Sequence, residues 1–302
     1  MLKVEGIDRW FGDHKALDQV TFGIERGKLT GFVGGNGAGK TTTMRIMLGV
    51  LGAHGGTVSM DGRLLDATAR RSFGYMPEER GLYPKMRAAE QIAYLARLHG
   101  YDRSAAHARA RELLERLGLD ERAEDPLEKL SLGNQQRVQI AAALVHDPEV
   151  LILDEPFSGL DPLAVEVVLA VLTEYADRGV PVLFSSHQLE VVDRLSDHLV
   201  IIAGGKIRAD GTPDQLRQRY DVRRHQIVTA TDAGWVRQVP GTRVLELDGP
   251  RAVFEGGDHI AQQVLDQAMR TDTVLSFGPV HSPLSEIFKD IVIDEEQQEE
   301  AA

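Results

Sequence analysis

The chain has 302 residues, of which 42% are hydrophobic and 26% charged, so its length and composition favour one large globular domain with a smaller one attached. The absence of cysteine excludes disulfides and thiolate metal sites, and the formal net charge of −12 argues against nucleic acid as the main partner. No run approaches the roughly 18 apolar residues of a membrane span, and the first residues lack the apolar core of a signal peptide, so we expect a cytoplasmic protein.

From Met1 to about Tyr220, short apolar runs alternate with helical stretches, which predicts strands joined by crossover helices. The strand candidates include LTGFVG, VLILDE, PVLFSSH and HLVIIAGG. Runs that are apolar throughout, such as Val150 to Leu153, favour a parallel sheet buried on both faces. Between Met86 and Glu128, Ala, Arg, Leu and Glu recur at helical spacing. We therefore expect an α/β domain over residues 1–220 with a helical insertion at about 86–128.

A second unit is predicted after Tyr220. Its segments follow the order β-α-β-β-α-β, in the stretches RRHQIVTA, TDAGWVRQ, TRVLELDGPRAVFEG (a hairpin), GGDHIAQQVLDQAMR and TVLSFGPV. This order predicts a small ferredoxin-like α+β domain, in which two helices cover one face of a sheet. A closing amphipathic helix from Pro283 to Ile293 would complete an accessory domain over residues 221–293. The acidic tail, residues 294–302, is predicted to be disordered.

The stretch GGNGAGKT fits the pattern of a phosphate-binding loop, because an apolar strand precedes it and the helical stretch TTTMRIMLG follows it. Glycines let backbone N–H groups turn inward around a polyphosphate, Lys40 places a cation at the β and γ phosphates, and Thr41 offers a hydroxyl to Mg²⁺. The predicted nucleotide-binding residues of this loop are Gly34, Gly35, Asn36, Gly37, Ala38, Gly39, Lys40, Thr41 and Thr42.

Two adjacent carboxylates follow the apolar strand VLIL. The strand would deliver Asp154 to the carboxyl end of a parallel sheet, where ligands bind, and we predict that Asp154 holds Mg²⁺. Side chains alternate along an extended chain, so Glu155 would point elsewhere and is predicted to polarise the attacking water as general base.

A second helix that is suited to anions begins in the stretch LSLGNQQRVQIAAALVHDP. Ser131 can serve as N-cap, Gly133 leaves the first turn without a side chain, and Asn134 adds a neutral polar group where backbone N–H groups are unpaired. Such an end attracts anions. The upstream loop is the stronger phosphate site. The anion expected at this helix must therefore be a different phosphate.

The order of the phosphate loop, LSLGNQQR, VLILDEP, SGLDP and SSH resembles the ATPase subunit of an ATP-binding cassette (ABC) transporter, over residues 1 to about 220. In that family two ATPase domains pair head to tail. The resemblance therefore implies that the phosphate at this second helix belongs to a nucleotide that a partner chain binds. It implies that Ser131 and Gly133, with Asn134 beside them, face the partner's γ-phosphate. It also implies that Asp161 bridges the two sites and that His187 contacts the γ-phosphate and helps to place the water.

The family also stacks an aromatic side chain on adenine near the N-terminus. In RWFG the matching residue is Phe11, with Trp10 as the alternative, and an aromatic residue there could equally belong to the core.

Four positions depart from the family pattern. Leu132 and Asn134 stand where the signature LSGGQ has a glycine and the glutamine, and Gly35 stands where a proline is common. Glu78 stands where a glutamine normally touches Mg²⁺ and senses the membrane subunit. A carboxylate there could bind Mg²⁺ more strongly while repelling the γ-phosphate. The metal ligands implied by the resemblance are Thr41, Glu78 and Asp154.

The segments PEERGLY and SPLSEIFKDIV are similar to one branch of the family, the ATPase subunits of drug-resistance and sodium-extrusion exporters. The resemblance implies ATP and Mg²⁺ as cofactors, a second and identical ATPase subunit, and polytopic membrane permease subunits that export a drug-like compound or an ion. It places the chain on the cytoplasmic face of the cell membrane. The alternative is a soluble cassette ATPase that acts on the ribosome or on nucleic acid. Such factors usually carry two cassettes, so the single set of motifs and the acidic charge favour the transporter subunit.

Overall fold

The computed structural model describes residues 1–79, 81–187, 189–220, 223–280 and 286–288. The chain forms two compact units, Met1–Pro213 and Asp214–Ala302. Within the described residues, none of the helices combines the length and apolar character that a membrane span requires.

The strands of the first unit are β1 (Leu2–Phe11), β2 (His14–Ile24), β3 (Leu29–Val33), β4 (Gly55–Met60), β5 (Arg63–Leu64), β6 (Phe73–Met76), β7 (Val150–Leu153), β8 (Val182–Ser186), β9 (His198–Ala203) and β10 (Lys206–Gly211). Its helices are α1 (Lys40–Met47), α2 (Ala88–Leu98), α3 (Arg103–Arg116), α4 (Leu132–Leu144), α5 (Pro162–Asp177) and α6 (Leu189–Leu195), with 3-10 turns at Ala69–Ser72, Asp120–Arg122 and Leu127–Lys129. A further helix, α7 (Pro213–Tyr220), begins at the boundary between the units.

The central sheet has the order β10-β9-β3-β8-β7-β6, and its strands run parallel except for β10, which is antiparallel to β9. Every residue of β3, β7 and β8 is buried, as expected for strands that are covered on both faces. The predicted parallel sheet is therefore confirmed. Its strands β3, β7 and β8 all end at the same edge, which is where the predicted site residues follow.

A second sheet of the same unit is antiparallel, with the order β2-β1-β4-β5. The expected alternation of strands and helices from Met1 onward does not hold for this segment. Leu2 and Val4 are buried whereas Lys3 and Glu5 are exposed, a period of two that is typical of a strand with one face in the core. The first two strands pair as a hairpin that turns at Gly12, whose φ is 58°.

The helical insertion contains α2 and α3, which both lie within residues 86–128. Helix α3 begins after Asp102, whose side chain accepts a hydrogen bond from the backbone N–H of Ala105 at 2.9 Å. The fully buried Ala106 and Leu113 lie on one side of this helix, so its apolar stripe packs inward.

The second unit contains β11 (Arg224–Thr229), a 3-10 helix (Gly234–Gln238), β12 (Arg243–Asp248), β13 (Arg251–Glu255), α8 (Asp258–Thr271) and β14 (Val274–Val280). The strands form an antiparallel sheet of order β12-β13-β11-β14 around a core that includes Ile227, Phe254 and Val264. The predicted ferredoxin-like order is confirmed, with a short 3-10 helix as its first helix. The predicted helix from Pro283 to Ile293 lies outside the described residues except for 286–288, and the predicted tail lies outside them entirely.

Candidate active site

The loop after β3 is shaped by glycines that admit no side chain. A Cβ on Gly34 would lie 2.5 Å from the carbonyl oxygen of Ile202, and a Cβ on Gly39 would lie 2.6 Å from Cδ2 of Leu17. Gly39 also has a φ of 109° and precedes the first residue of α1. Close packing thus fixes both ends of the loop, and the backbone between them is free to curve around a ligand.

Lys40 is the first residue of α1 and lies against this loop. Its side chain is only 9% exposed, and its Nζ donates hydrogen bonds to the carbonyl oxygens of Gly34 at 2.7 Å and Gly35 at 3.1 Å. The ammonium group is therefore held inside the curve of the loop, where a phosphate group would meet it.

Asp154 follows β7 at the same edge of the sheet, and Thr41 contacts it. The Oγ1 of Thr41 donates a hydrogen bond to Oδ2 of Asp154 at 2.8 Å, and the hydroxyl of Ser185 donates to the other carboxylate oxygen. Asp154 is 1% exposed, yet among the described residues no Lys, Arg or His forms an ion pair with it. A buried carboxylate without a cation partner fits a metal ligand.

Glu155 has an unusual backbone that its neighbours hold in place. Its φ is 54°, in the left-handed region that non-glycine residues rarely adopt. Its N–H donates to Oγ of Ser185 at 2.8 Å, and its carbonyl oxygen accepts from Nε2 of Gln136 at 2.8 Å. The carboxylate, whose side chain is 10% exposed, lies 2.9 Å from Nδ1 of His187, which follows β8 and is 54% exposed.

These residues surround one cavity of about 460 Å³, within the usual size range of small-molecule sites. It is lined by Gly35, Asn36, Gly37, Ala38, Gly39, Lys40, Thr41, Thr42, Glu78, Asp154, Glu155 and His187. The phosphate loop and both predicted carboxylates therefore share one site, together with Glu78 and His187. On β6, which pairs with β7, burial raises the pKa of Tyr75, with a smaller contribution from the charge of Asp154.

The donor set at the cavity suits Mg²⁺. Thr41, Glu78 and Asp154 offer only oxygen atoms, which Mg²⁺ prefers. Within the part of the chain that the structure describes, no three His, Asp or Glu side chains converge as a metal-binding cluster. The oxygen donors of this set agree with an ion held by one or two carboxylates and completed by substrate phosphates.

Six of the predicted site residues do not line this cavity. Phe11 ends β1 with 48% of its surface exposed, and the guanidinium of Arg9 lies 4.8 Å from the centre of its ring. Ser131 and Asp161 cap α4 and α5: Ser131 Oγ accepts from the N–H of Asn134 at 3.3 Å, and Asp161 Oδ1 accepts from the N–H of Ala164 at 2.8 Å. The N-cap role expected for Ser131 is thus present. The three other predicted residues outside the cavity are Gly34, Gly133 and Asn134.

Sequence reasoning missed Ser185 and Gln136, which hold the backbone of Glu155. One signal was available for Ser185: it lies two residues before His187, and side chains at that spacing in a strand point to the same face. Gln136 carried no such signal, because its partner is 19 residues away in sequence and lies after another element.

Comparisons with known proteins agree with this geometry. The ABC transporter family matches residues 17–158, and the C-terminal domain of DrrA1-3-like ATP-binding proteins matches residues 211–292. An uncharacterized ABC transporter ATP-binding protein of Bacillus subtilis, YhaQ, is 41% identical over 220 residues, which are 73% of this chain and 74% of that protein. The linearmycin resistance ATP-binding protein LnrL of Bacillus subtilis is 35% identical over 222 residues, 72% of this chain and 71% of that protein.

A solved structure of the ATP-binding subunit of an ABC transporter is also similar, with a TM-score of 0.67 and 33% identity over 73% of this chain and 93% of that one. These matches confirm the family resemblance and the expected ATPase fold. The chain belongs to the family of ABC transporter ATP-binding proteins.

Proposed function

We propose that this chain is the ATP-hydrolysing subunit that powers export of a drug-like compound or an ion through separate polytopic membrane subunits. As a member of its family the chain is an ATPase, and membership of a transporter family supports membrane subunits as its partners. The observation that carries the proposal is the single cavity that joins Lys40, the Thr41–Asp154 pair and the Glu155–His187 pair.

In the proposed site, the loop of residues 34–42 binds the phosphates and Lys40 lies against the β and γ phosphates. Thr41, Asp154 and Glu78 would hold Mg²⁺, which would supply positive charge to stabilise the phosphates. The buried position of Asp154 and its two hydroxyl partners fix the orientation of its carboxylate before any ligand arrives.

Glu155 is the proposed general base. Its sheltered carboxylate would take a proton from the water that attacks the γ-phosphorus, while the bond from that phosphorus to the β–γ bridging oxygen breaks and ADP leaves. His187 lies within hydrogen-bond distance of the same carboxylate, so it can orient the base and reach a γ-phosphate oxygen. Lys40 would stabilise the charge that develops on the transferred group.

The second nucleotide contact is proposed to come from another copy of the chain. Ser131 is exposed at the start of α4 and does not line its own cavity, which supports its use by a partner. Gly133, Asn134 and Asp161 would complete the contact between the two copies. Phe11 is the proposed adenine-stacking residue, since its ring is half exposed at the end of β1.

Membrane subunits would hold the dimer at the cytoplasmic face of the membrane. The relative named for linearmycin resistance supports an exporter of drug-like compounds, and the names of the relatives favour a transporter over a factor that acts on the ribosome or on nucleic acid.

The test is transport in inverted membrane vesicles that contain this chain and the polytopic proteins encoded beside it. We expect ATP-dependent uptake of ethidium or of radioactive sodium into the vesicles, and no uptake when Glu155→Gln replaces the native chain. If the native chain and Glu155→Gln give equal uptake of either probe, the proposal is contradicted, because transport would not depend on hydrolysis at this site.

A further inference from the structure

We propose that Gln136 is a positioning residue for the general base, and that it connects helix α4 to the backbone of Glu155. This inference rests on the proposed role of Glu155 and adds a residue that the phosphate loop, the metal site and the signature contact do not include.

Gln136 lies in the second turn of α4 and is 5% exposed. Its Nε2 donates a hydrogen bond to the carbonyl oxygen of Glu155 at 2.8 Å, and the N–H of Ser158 donates to the same oxygen at 3.2 Å. A buried amide in this position has a fixed partner, because leaving either group unpaired away from water is unfavourable.

The backbone of Glu155 needs such a partner. With a φ of 54° it lies in a sparsely populated region, and a strained residue of this kind persists only where its surroundings hold it. Ser185 of β8 holds the N–H side at 2.8 Å and Gln136 of α4 holds the carbonyl side. Two different elements therefore set the direction in which the carboxylate leaves the backbone, toward His187 and the cavity.

Helix α4 is also proposed to contact a partner copy of the chain. Ser131 caps α4 and is proposed to face the nucleotide of a partner copy, and Gln136 lies five residues further along that helix. A helix is rigid over this length, so a movement of its first turn on the partner's phosphate would also move the amide that holds Glu155. The geometry thus allows α4 to affect both the partner's nucleotide site and the general base of its own chain.

The closing experiment compares Gln136→Met with the native protein. Methionine has nearly the same shape but donates no hydrogen bond, and Gln136 does not line the cavity. We expect kcat to fall about 10-fold or more with KM and ATP binding unchanged, since displacement of a catalytic group by about 1 Å can cost about 10²-fold. Should Gln136→Met not fold, Gln136→Glu keeps the shape, replaces the donor with a carboxylate oxygen, and is expected to lose rate in the same way.

Gln91→Met is the matched control. Gln91 is another buried glutamine, 1% exposed, in helix α2 of the insertion, and its amide bonds to the backbone of Tyr83. Gln91→Met should lower the melting temperature without lowering kcat. An equal loss of kcat in Gln91→Met, or a native kcat in a folded Gln136 variant, would overturn the inference.

A double variant separates this inference from the proposed function. If Gln136 acts through the base, Gln136→Met added to Glu155→Gln should lower the residual single-turnover rate no further. A multiplicative loss would overturn the positioning role while leaving the base in place. A Glu155→Gln protein that turns over at the native rate would instead overturn the proposed base, and this inference with it.

Discussion

Removing the hydroxyl of Ser185 should destabilise the protein, and the structure sets the size of the effect. Ser185 is fully buried, accepts a hydrogen bond from the N–H of Glu155 at 2.8 Å and donates one to the carboxylate of Asp154. Ser185→Ala would lose a hydrogen bond to a charged group, worth about 1.5–3 kcal/mol, and would leave a buried N–H unpaired, at about 1–3 kcal/mol. Because such contributions overlap, we expect the free energy of unfolding to fall by about 3 kcal/mol.

Thr30 provides the matched control on the neighbouring strand. It is also fully buried, but among the described residues its Oγ1 has no hydrogen-bond partner. Thr30→Val removes that unpaired hydroxyl and keeps the shape of the side chain, so the free energy of unfolding should rise by about 1 kcal/mol. Removing a buried hydroxyl should therefore lower the free energy of unfolding on β8 and raise it on the paired strand β3.

The assay is urea unfolding of the native protein, Ser185→Ala and Thr30→Val without nucleotide. The Mg²⁺ concentration for half-maximal hydrolysis should also rise in Ser185→Ala, because the carboxylate of Asp154 loses one of its two hydroxyl partners. An unfolding free energy of Ser185→Ala within about 0.5 kcal/mol of the native value, the range of an ordinary surface change, would refute the reasoning.

Three further predictions concern other parts of the first unit. Glu78→Gln should change the Mg²⁺ dependence of turnover more than ATP affinity, because Glu78 lines the cavity but most of the polyphosphate contacts are expected from the phosphate loop; identical Mg²⁺ titrations at saturating ATP would place it away from the metal. Burial lowers the pKa of His146 from 6.5 to about 4, with a smaller effect from His99, whose ring stacks on it at 3.9 Å. Between these two pH values the native state therefore binds fewer protons than the unfolded chain. The free energy of unfolding is then highest above pH 6.5, and it decreases as the pH falls toward 4. His146→Asn should reduce the drop in urea midpoint between about pH 7 and about pH 5, and an unchanged drop would count against the effect. Ser131→Arg should bind ATP but fail to form an ATP-dependent dimer, and mixing it with Lys40→Ala should restore hydrolysis at one composite site; normal hydrolysis by Ser131→Arg alone would exclude a shared site.

Local patterns in the sequence predicted much of what positions the site. The apolar runs before Gly34 and Asp154 indicated buried parallel strands, and such strands place the residues that follow them at one edge of the sheet. Ser131 was recognised as an N-cap because capping depends on residue type and on the helix that follows directly. These features depend on neighbours in the chain, so a single sequence is enough to predict them.

Contacts between distant segments were not predictable in the same way. The bond from Gln136 to Glu155 joins a helix to a strand end, and nothing in QQR distinguishes this glutamine from Gln135, whose amide bonds to Leu127 and Leu130 instead. The antiparallel sheet at the start of the chain was missed because its two-residue period is interrupted by register shifts between Val4 and Trp10.

The central claim is that Glu155 activates water for an ATP held by the loop of residues 34–42. Single-turnover hydrolysis and equilibrium ATP binding, measured on the same samples of the native protein and Glu155→Gln, test it most directly. Glu174→Gln is the control, because Glu174 is an exposed carboxylate that pairs with Arg116 at the surface. We predict native ATP binding in all three proteins and hydrolysis that is about 10²–10⁴-fold slower only in Glu155→Gln. Hydrolysis by Glu155→Gln at the native rate would contradict the claim.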